Sequence, residues 1–345
     1  MLNNKNKLDD PLNELALPNF AAALKINHHS VTSLSYPDGI YTFRYIFCDQ
    51  NDRHNFDGNA NMAAGVAVGN ALGYRFGKII WKLNPLTKKL APAENPITTE
   101  AEAIDKAMTK FRSYVPVNET DRDKFDHYLE TIPQAIKHGF KILNELCGNH
   151  HVVCEDVVNH QDKRLKLPIV GRTDFSIQDF GGEQSPPGVH HGTKTPPKGD
   201  LLSVLELKTA WQKPMRRKKS GERSFSYARL PDLPNPQHIQ QLAFYCTSKK
   251  PVDAKLIYLT ADGYKVFDKN NCVDLEPVNL KNYYEELIKL AVRRERLLRR
   301  YEHINDPDRM KLEILRDVSP NWEHPFFWRI GNHYLLRAKK LWSEV

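Results

Sequence analysis

Two short runs in this chain hold residues whose types and spacing could do chemistry: Gly171-Arg172-Thr173-Asp174, and Glu206-Leu207-Lys208. Asp174 closes a β-like run, and the acid-x-lysine ends a second apolar run. Side chains in a strand alternate faces, so Glu206 and Lys208 point the same way while Leu207 packs into the core. If the strand ending at Asp174 lies beside the second strand, two carboxylates and an ammonium converge on one spot. Such a set suits Mg²⁺ and an activated water. An acid-x-lysine on a strand usually marks a solvated edge. Here Val204-Leu205 before it and Thr209-Ala210-Trp211 after it read as a buried central strand. An unpaired charge there is costly, so the charged groups need partners or a metal.

A third run, Gln241-Leu242-Ala243-Phe244-Tyr245, places a glutamine and a tyrosine one helical turn apart on one face,. Taken in order, the three runs resemble the GxxD, (D/E)xK and QxxxY motifs of PD-(D/E)xK nucleases of the RecB type. Further features are similar to the mitochondrial genome maintenance exonuclease and its phage relatives: Lys208-Thr209 followed by Lys213-Pro214, a basic insert, Asn235-Pro236 ahead of the glutamine, and a hydrophobic strand from Ala254 to Thr260 followed by Asp262-Gly263. The resemblance covers roughly residues 60 to 270. It implies an α/β fold with a PD-(D/E)xK restriction-endonuclease-like core, a central mixed sheet flanked by helices, with helical N- and C-terminal elaborations. The implied activity is metal-dependent DNA exonuclease action on single-stranded or frayed ends, in phage or bacterial DNA replication, recombination or degradation. A structure-selective DNA endonuclease on the same core is the alternative, and a non-catalytic nucleic-acid-binding protein is the rival outside the enzyme class.

Phosphodiester hydrolysis needs an in-line water, a lowered pKa for it, and stabilisation of charge on phosphorus and the leaving oxygen, all of which metal ions serve. Asp174 and Glu206 are the expected ligands, with the carbonyl of Leu207 as a third, and hard oxygen donors suit Mg²⁺ or Mn²⁺. Lys208 would orient or deprotonate the water and hold the scissile phosphate; only a depressed pKa would make it a true base. By the resemblance Gln241 lies over the site; read alone it is a surface glutamine on an amphipathic helix. Glu155, Glu145 and Glu130 are weaker ligand candidates. The small-residue segment from Asn61 to Lys78 resembles the helix that opens RecB-type domains, with Gly69 where those proteins carry a histidine.

DNA contacts are expected from the insert, through Lys213, Arg216, Arg217, Lys218, Lys219 and Arg223, with Arg229, Phe225 and Tyr227 close by, and from Tyr245 on the following helix. Charge serves the backbone and aromatic faces serve bases, which is what single-strand binding uses. A basic helix from Tyr283 to Tyr301, with Arg293, Arg294, Arg296, Arg299 and Arg300, is a weaker candidate. The net charge of +8 over 345 residues favours a polyanionic partner,. Replication or recombination proteins are further candidate partners. Five scattered cysteines without a CxxC pair fit a reducing compartment with free thiols,. Only Cys48 lies upstream of the core, so no iron–sulfur cluster is expected, and the histidine pairs His28-His29, His150-His151 and His190-His191 lack zinc-site spacing. No run reaches transmembrane length, and the N-terminus lacks the pattern of a signal or transit peptide, so the cytoplasm of a bacterium or of a phage-infected host is expected.

These pieces must be positioned by surrounding elements. A loosely attached arm is expected over 1–35, a nuclease domain over 36–280 with the insert at 213–235, and a C-terminal helical extension over 281–345. Within them, alternation predicts a strand over Ile40 to Cys48 and a strand pair over His151–Asn159 and Leu167–Phe175. Helical spacing predicts helices over Thr98–Tyr114, over Asp121–Leu146 with a kink at Pro133, and over Pro236–Thr247. A Pro/Gly-rich loop spans Gly181 to Asp200, and the aromatic tail with Trp322, Phe326, Phe327, Trp328 and Trp342 is expected to pack back on the domain.

Overall fold

The computed structural model describes residues 17–49, 52–53, 59–77, 79–83, 90–94, 99–148, 150–179, 200–215 and 223–345. Within it the β-like runs around the motifs assemble into one mixed sheet of β1 (His29–Ser30), β4 (His151–His160), β5 (Ile169–Asp179), β6 (Asp200–Thr209), β7 (Asp253–Leu259) and β8 (Tyr264–Phe267). A separate antiparallel pair is formed by β2 (Ile79–Leu83) and β3 (Leu90–Glu94). In the main sheet β4, β5 and β6 run antiparallel in turn, β6 and β7 are parallel, and β8 returns antiparallel. A parallel pair needs a crossover connection. Helix α6 (Pro236–Lys249) supplies it. The other helices are α1 (Asn19–Leu24), α2 (Asp38–Tyr41), α3 (Ala60–Phe76), α4 (Glu100–Arg112), α5 (Glu119–Cys147), α7 (Pro277–Arg299), α8 (Pro307–Arg316), α9 (Pro325–Arg329) and α10 (Asn332–Ser343).

Strand alternation sends side chains into two separate cores. Phe175, Ile177, Leu205, Ile257 and Leu259 pack against α3, α4 and α5. Val204, Leu256, Tyr258 and Phe267 pack against α6 and α7. The molecule is therefore a layered α/β structure with a mixed sheet flanked by helices, and β6 is enclosed on both faces. Among the described residues no helix is long and apolar enough to cross a membrane.

Local signals account for the helices on the first face. The Thr99 side chain accepts from Glu102 N while Glu102 reaches back to Thr99 N, a capping box that starts α4,. Asn118 caps α5, whose buried stripe includes Phe125, Tyr128, Ile132, Ile136 and Phe140 at helical spacing,. The helix continues through Pro133. Buried Asp121 joins α3 to this unit by accepting from Ala60 N at 2.8 Å, from Val117 N and from the Tyr114 hydroxyl.

Several expectations change in three dimensions. Of the run from Ile40 to Cys48, all but Cys48 is helical instead of extended: α2 leads directly into a π-helical turn over Thr42–Phe47. Ile40 and Phe43 bury against Phe327 and Tyr334, whereas Tyr41 and Ile46 bury against α1 and α8. A segment covered on several sides carries apolar residues at nearly every position, so its periodicity cannot separate strand from helix. The arm expected over 1–35 is firmly packed where it is described: Phe20 and Ala21 are wholly buried, and β1 pairs in parallel with β5. Residues 1–16 lie outside the described residues, as does most of the Pro/Gly-rich loop. The boundary expected at 280/281 falls inside α7, which packs on the main sheet's second core. The tail does pack back, with the Phe327 and Trp342 rings each 6.4 Å from Phe43 between centres, although Trp328 is exposed.

The basic stripe of α7 is not one solvated surface. Arg294 is 1% exposed, donates to the carbonyls of Ser33 and Tyr36 and to Asp38, and lies 4.0 Å over the Tyr41 ring. Arg293 also pairs with Asp38, and Arg300 with Asp317. Next to Arg294, buried Glu295 accepts from Lys166 N at 2.8 Å, from Leu167 N at 3.1 Å and from His29 Nε2 at 3.4 Å. Burial opposes its charge, but these donors hold its carboxyl below the usual range,.

Replacing Glu295 by alanine would strand a buried histidine and two backbone donors. Glu295→Ala is expected to lower the unfolding free energy in urea by about 3–5 kcal/mol, whereas exposed Arg296→Ala should stay within about 0.5 kcal/mol of the parent. Equal effects of the two would show that the Glu295 network carries no stability.

Candidate functional site

Strands β5 and β6 pair only from Phe175/Leu205 outward to Asp179/Asp200. Further back on β5, β4 occupies one edge throughout, and β1 occupies the other at Ile169 and Val170. Residues 171–174 are thus left without a ladder partner on the β6 side. Leu207, beyond the last position of β6 paired with β5, has a backbone N–H to satisfy on that edge. The Asp174 carboxylate accepts it, with Oδ2 2.6 Å away. On the opposite edge the ladder skips Glu155, which faces Asp174 in register and has φ of 57°, the left-handed region that is uncommon for a residue other than glycine,.

From this parting of strands a chain of hydrogen bonds runs through all three motifs. Glu206 is 1% exposed, and its Oε1 accepts from Lys208 Nζ at 2.5 Å. Lys208 Nζ also donates to Gln241 Oε1 at 3.1 Å. Gln241 Nε2 donates to Tyr245 Oη at 3.0 Å, and Tyr245 Oη donates to the carbonyl of Arg172 at 2.6 Å. The chain thereby returns to β5 two residues before Asp174. Gly171 makes this possible: a Cβ there would stand 2.8 Å from Tyr245 Cε1 and 2.8 Å from Val31 Cγ1. Only glycine lets the tyrosine ring lie against the strand. Leu207 points to the other face and packs beside the first core.

Burial dominates the electrostatics. It raises the Asp174 carboxyl above its ordinary range, against the pull of Lys208 and the Leu207 N–H. Burial, and then the like charge of Asp174, push Glu206 up to about 8,. For Lys208 burial acts downward, but Glu206 and Asp174 more than offset it, so its pKa is raised. In the metal-free protein Lys208 is an ammonium, and the depressed pKa that a general base would need is absent.

Glu206 Oε2 is buried with no hydrogen-bond partner. A buried unpaired carboxylate oxygen calls for an explanation, and a hard cation would be one. Asp174, Glu206 and the Leu207 carbonyl are the oxygen donors that fit Mg²⁺ or Mn²⁺ here. Among the described residues no group of three His, Cys, Asp or Glu side chains is placed to hold a metal, so a third protein ligand would have to come from the backbone. Glu155 is exposed and lies 3.8 Å from Arg172 instead of closing on the two acids.

The site opens into a cleft of about 910 Å³ whose walls include Asp174, Lys208, Trp211, Arg229, His238 and Tyr258. Helix α3 forms one side, with Gly69 and Gly73 on the cleft; a Cβ added at either would meet nothing within 4 Å. The space next to Gly69 is therefore open.

The residues expected to bind DNA are placed unevenly. Lys213 is exposed, and Tyr227 is 87% exposed. Arg216, Arg217, Lys218 and Lys219 lie outside the described residues. The two arms flanking them meet through Pro214 and Phe225 and through backbone bonds between Lys213 and Ser226 and between Met215 and Ser224. Arg223 is held by Asp123 of α5 at 2.7 Å, with both side chains largely buried. Phe225 stacks on His127 with ring centres 3.8 Å apart and planes at 7°. Arg223 and Phe225 thus anchor the insert to α5 instead of facing a nucleic acid. Tyr245 is 1% exposed with its hydroxyl engaged, so it positions Gln241 and does not reach DNA. Sequence reasoning overlooked His238 and Tyr258 on the cleft wall. The only signal for His238 was its place one turn ahead of Gln241 on the same helix.

No family model matches this chain, and no curated protein does. Among solved structures, a chain described as "Crystal structure of SSO0001" aligns at 19% identity and a TM-score of 0.25, covering 55% of this chain and 68% of that one.

The two acids, both with raised carboxyl pKa values, predict an unusual pH response. Because the Glu206 carboxyl titrates at about 8 when folded and near 4.5 when exposed, the folded state holds its proton more tightly. That contribution to stability is complete below the unfolded value and is lost as pH rises towards about 8,. Asp174 acts in the same sense. The melting temperature in EDTA should therefore fall over this range, Glu206→Gln should flatten the fall, and millimolar Mg²⁺ should raise the melting temperature most at the alkaline end. An unaltered slope in Glu206→Gln would contradict the placement of this carboxyl.

Proposed function

We propose that this protein is a Mg²⁺- or Mn²⁺-dependent DNA exonuclease with a PD-(D/E)xK core. One observation carries the reading: where β5 and β6 part, the buried Glu206 carboxylate, the half-buried Asp174 carboxylate and an ammonium converge, and one oxygen of Glu206 has no partner. The element order around them, α5, three antiparallel strands, α6 and the parallel strand β7, supports it. A divalent cation held by Asp174, Glu206 and the Leu207 carbonyl would lower the pKa of an attacking water and stabilise charge on the phosphate. Lys208 keeps its proton, neutralises one carboxylate and offers its remaining donor capacity to a phosphate oxygen,. Gln241, fixed by Tyr245, holds the ammonium over the parting strands. The positive net charge and the exposed Lys213, Arg229 and Tyr227 favour a nucleic-acid strand in the cleft,.

Asp174→Ala, Glu206→Ala and Lys208→Ala should each reduce Mg²⁺-dependent release of nucleotides by ~10²-fold or more, with circular dichroism unchanged. Near-normal turnover by any of the three would remove that residue from the site. Ca²⁺ should support DNA binding with little hydrolysis, because its looser coordination positions water poorly; gel-shift and cleavage assays with Ca²⁺ in place of Mg²⁺ test this.

The insert runs between the strand bearing Glu206 and the helix bearing Gln241 and is anchored on α5 beside the cleft. Under the exonuclease reading, linear single strands are degraded progressively from an end, while covalently closed single-stranded circles resist. Rapid cutting of circles under the same conditions would replace the exonuclease reading with the endonuclease one.

A further inference from the structure

His238 lies on α6, one turn ahead of Gln241, with its ring on the wall of the cleft that also holds Asp174 and Lys208. Its Nδ1 is 2.8 Å from Tyr258 Oη. The same phenolic oxygen accepts the backbone N–H of Asn235, the N-cap of α6, at 3.0 Å. These contacts determine the direction of each bond. Tyr258 stands beside Lys208 in the parallel β6–β7 register, and burial raises its pKa, so it is a neutral phenol with one proton to give. Asn235 N–H can only donate, and among the described residues His238 Nδ1 is the one partner of Tyr258 Oη able to accept, so the phenolic proton is directed at it. A nitrogen that accepts carries no proton, and a neutral imidazole then has its proton on Nε2. Burial, and then the Lys208 ammonium, keep the ring neutral by lowering its pKa to about 4. Among the described residues none hydrogen-bonds Nε2.

We infer that His238 is a further substrate-contacting residue, donating a hydrogen bond from Nε2–H to a non-bridging phosphate oxygen beside Lys208, with Tyr258 as the positioning residue that sets its tautomer. The inference rests on the nuclease reading above. In this tautomer neither ring nitrogen is available to a cation: Nδ1 is engaged by Tyr258, and Nε2 bears the proton. The histidine nearest the site is thereby turned from a metal ligand into an uncharged donor. Two neighbouring cations would repel one another without a substrate. An uncharged donor next to Lys208 avoids that cost and still adds a fixed dipole where negative charge accumulates on the phosphate.

The test uses the full chain and a 5′-end-labelled single-stranded oligonucleotide, with Mg²⁺ varied independently of DNA. His238→Ala should lower the rate at saturating DNA by ~10- to 100-fold while leaving the Mg²⁺ concentration for half-maximal rate unchanged. His238→Gln, which restores an N–H at similar reach, should recover most of the loss. Tyr258→Phe, which frees the tautomer, should cost a smaller factor. Tyr258→Phe and His238→Gln also carry the test should His238→Ala fail to fold. A large rise in the Mg²⁺ requirement of His238→Ala would make the residue a metal ligand and overturn the inference. Unchanged rates in His238→Ala, with an active parent protein, would overturn it while leaving the nuclease reading intact. An inactive parent with both Mg²⁺ and Mn²⁺ would remove the nuclease reading and the inference together. Long-range ¹H–¹⁵N spectra of the histidine ring give an independent readout: the Nε2–H tautomer is expected, and an Nδ1–H tautomer would refute the assignment whatever the activity.

Discussion

Glu206 places a carboxylate on a central strand with a hydrophobic core on each side, where solvent cannot compensate its charge,. One of its oxygens is satisfied by Lys208 and the other by nothing. The architecture around it follows from this burden. Lys208 must be close, on the same face and fully protonated, which the two-residue spacing on β6 provides. The ammonium must in turn be held, and Gln241 on the crossover helix does so. With both acids ionised the cluster of Asp174, Glu206 and Lys208 would carry one net negative charge. A bound divalent cation would reverse that sign, turning a pocket that repels a phosphate into one that attracts it.

Distant packing creates the gap in which this cluster sits. The Glu295 carboxylate on α7 gathers His29 of β1 and the backbone of Lys166 and Leu167, just ahead of β5. It thereby fastens β1 to the edge of β5 that β6 would otherwise continue along. Between the two partners four residues of β5 are left without ladder bonds on that edge, and Asp174 is the last of them. Helix α7 thus shapes a site to which it contributes no ligand. Arg294, one residue earlier, ties the same helix to Ser33, Tyr36 and Asp38. The N-terminal segment is consequently part of the same packed unit.

Rigidity in the site comes from a sequence of close approaches. Tyr245 can reach the Arg172 carbonyl only because Gly171 presents no side chain, and Gln241 is oriented only because Tyr245 is fixed. A second chain, from Asn235 N–H through Tyr258 to His238, orients the cleft wall in the same manner. Both chains begin at backbone groups whose positions the fold determines, so neither has a free rotor at its origin. On the facing wall the bare backbone at Gly69 and Gly73 leaves open space. One side of the cleft is thus built from fixed donors and the other from open space.

Much of the framework was legible in the residues alone. Short β-like and apolar runs located β4, β5 and β6, helical spacing located α5, the Thr99–Glu102 pair marked the start of α4, and Asn235-Pro236 marked the start of α6, because each is a relation between residues a few positions apart. The shared face of Glu206 and Lys208 is of the same kind. What the sequence could not reveal was which charged and aromatic side chains find partners far along the chain. Arg223 and Phe225 looked like DNA contacts but meet Asp123 and His127. Arg294 looked like surface charge but is buried against Tyr41. Tyr245 looked available and is enclosed, while Ile40 to Cys48 looked extended and is helical in all but Cys48. Periodicity is written into neighbouring residues by the geometry of the backbone. Whether a given cation, ring or imidazole faces solvent or a partner depends on contacts across tens to hundreds of positions, and only the folded chain brings those partners together.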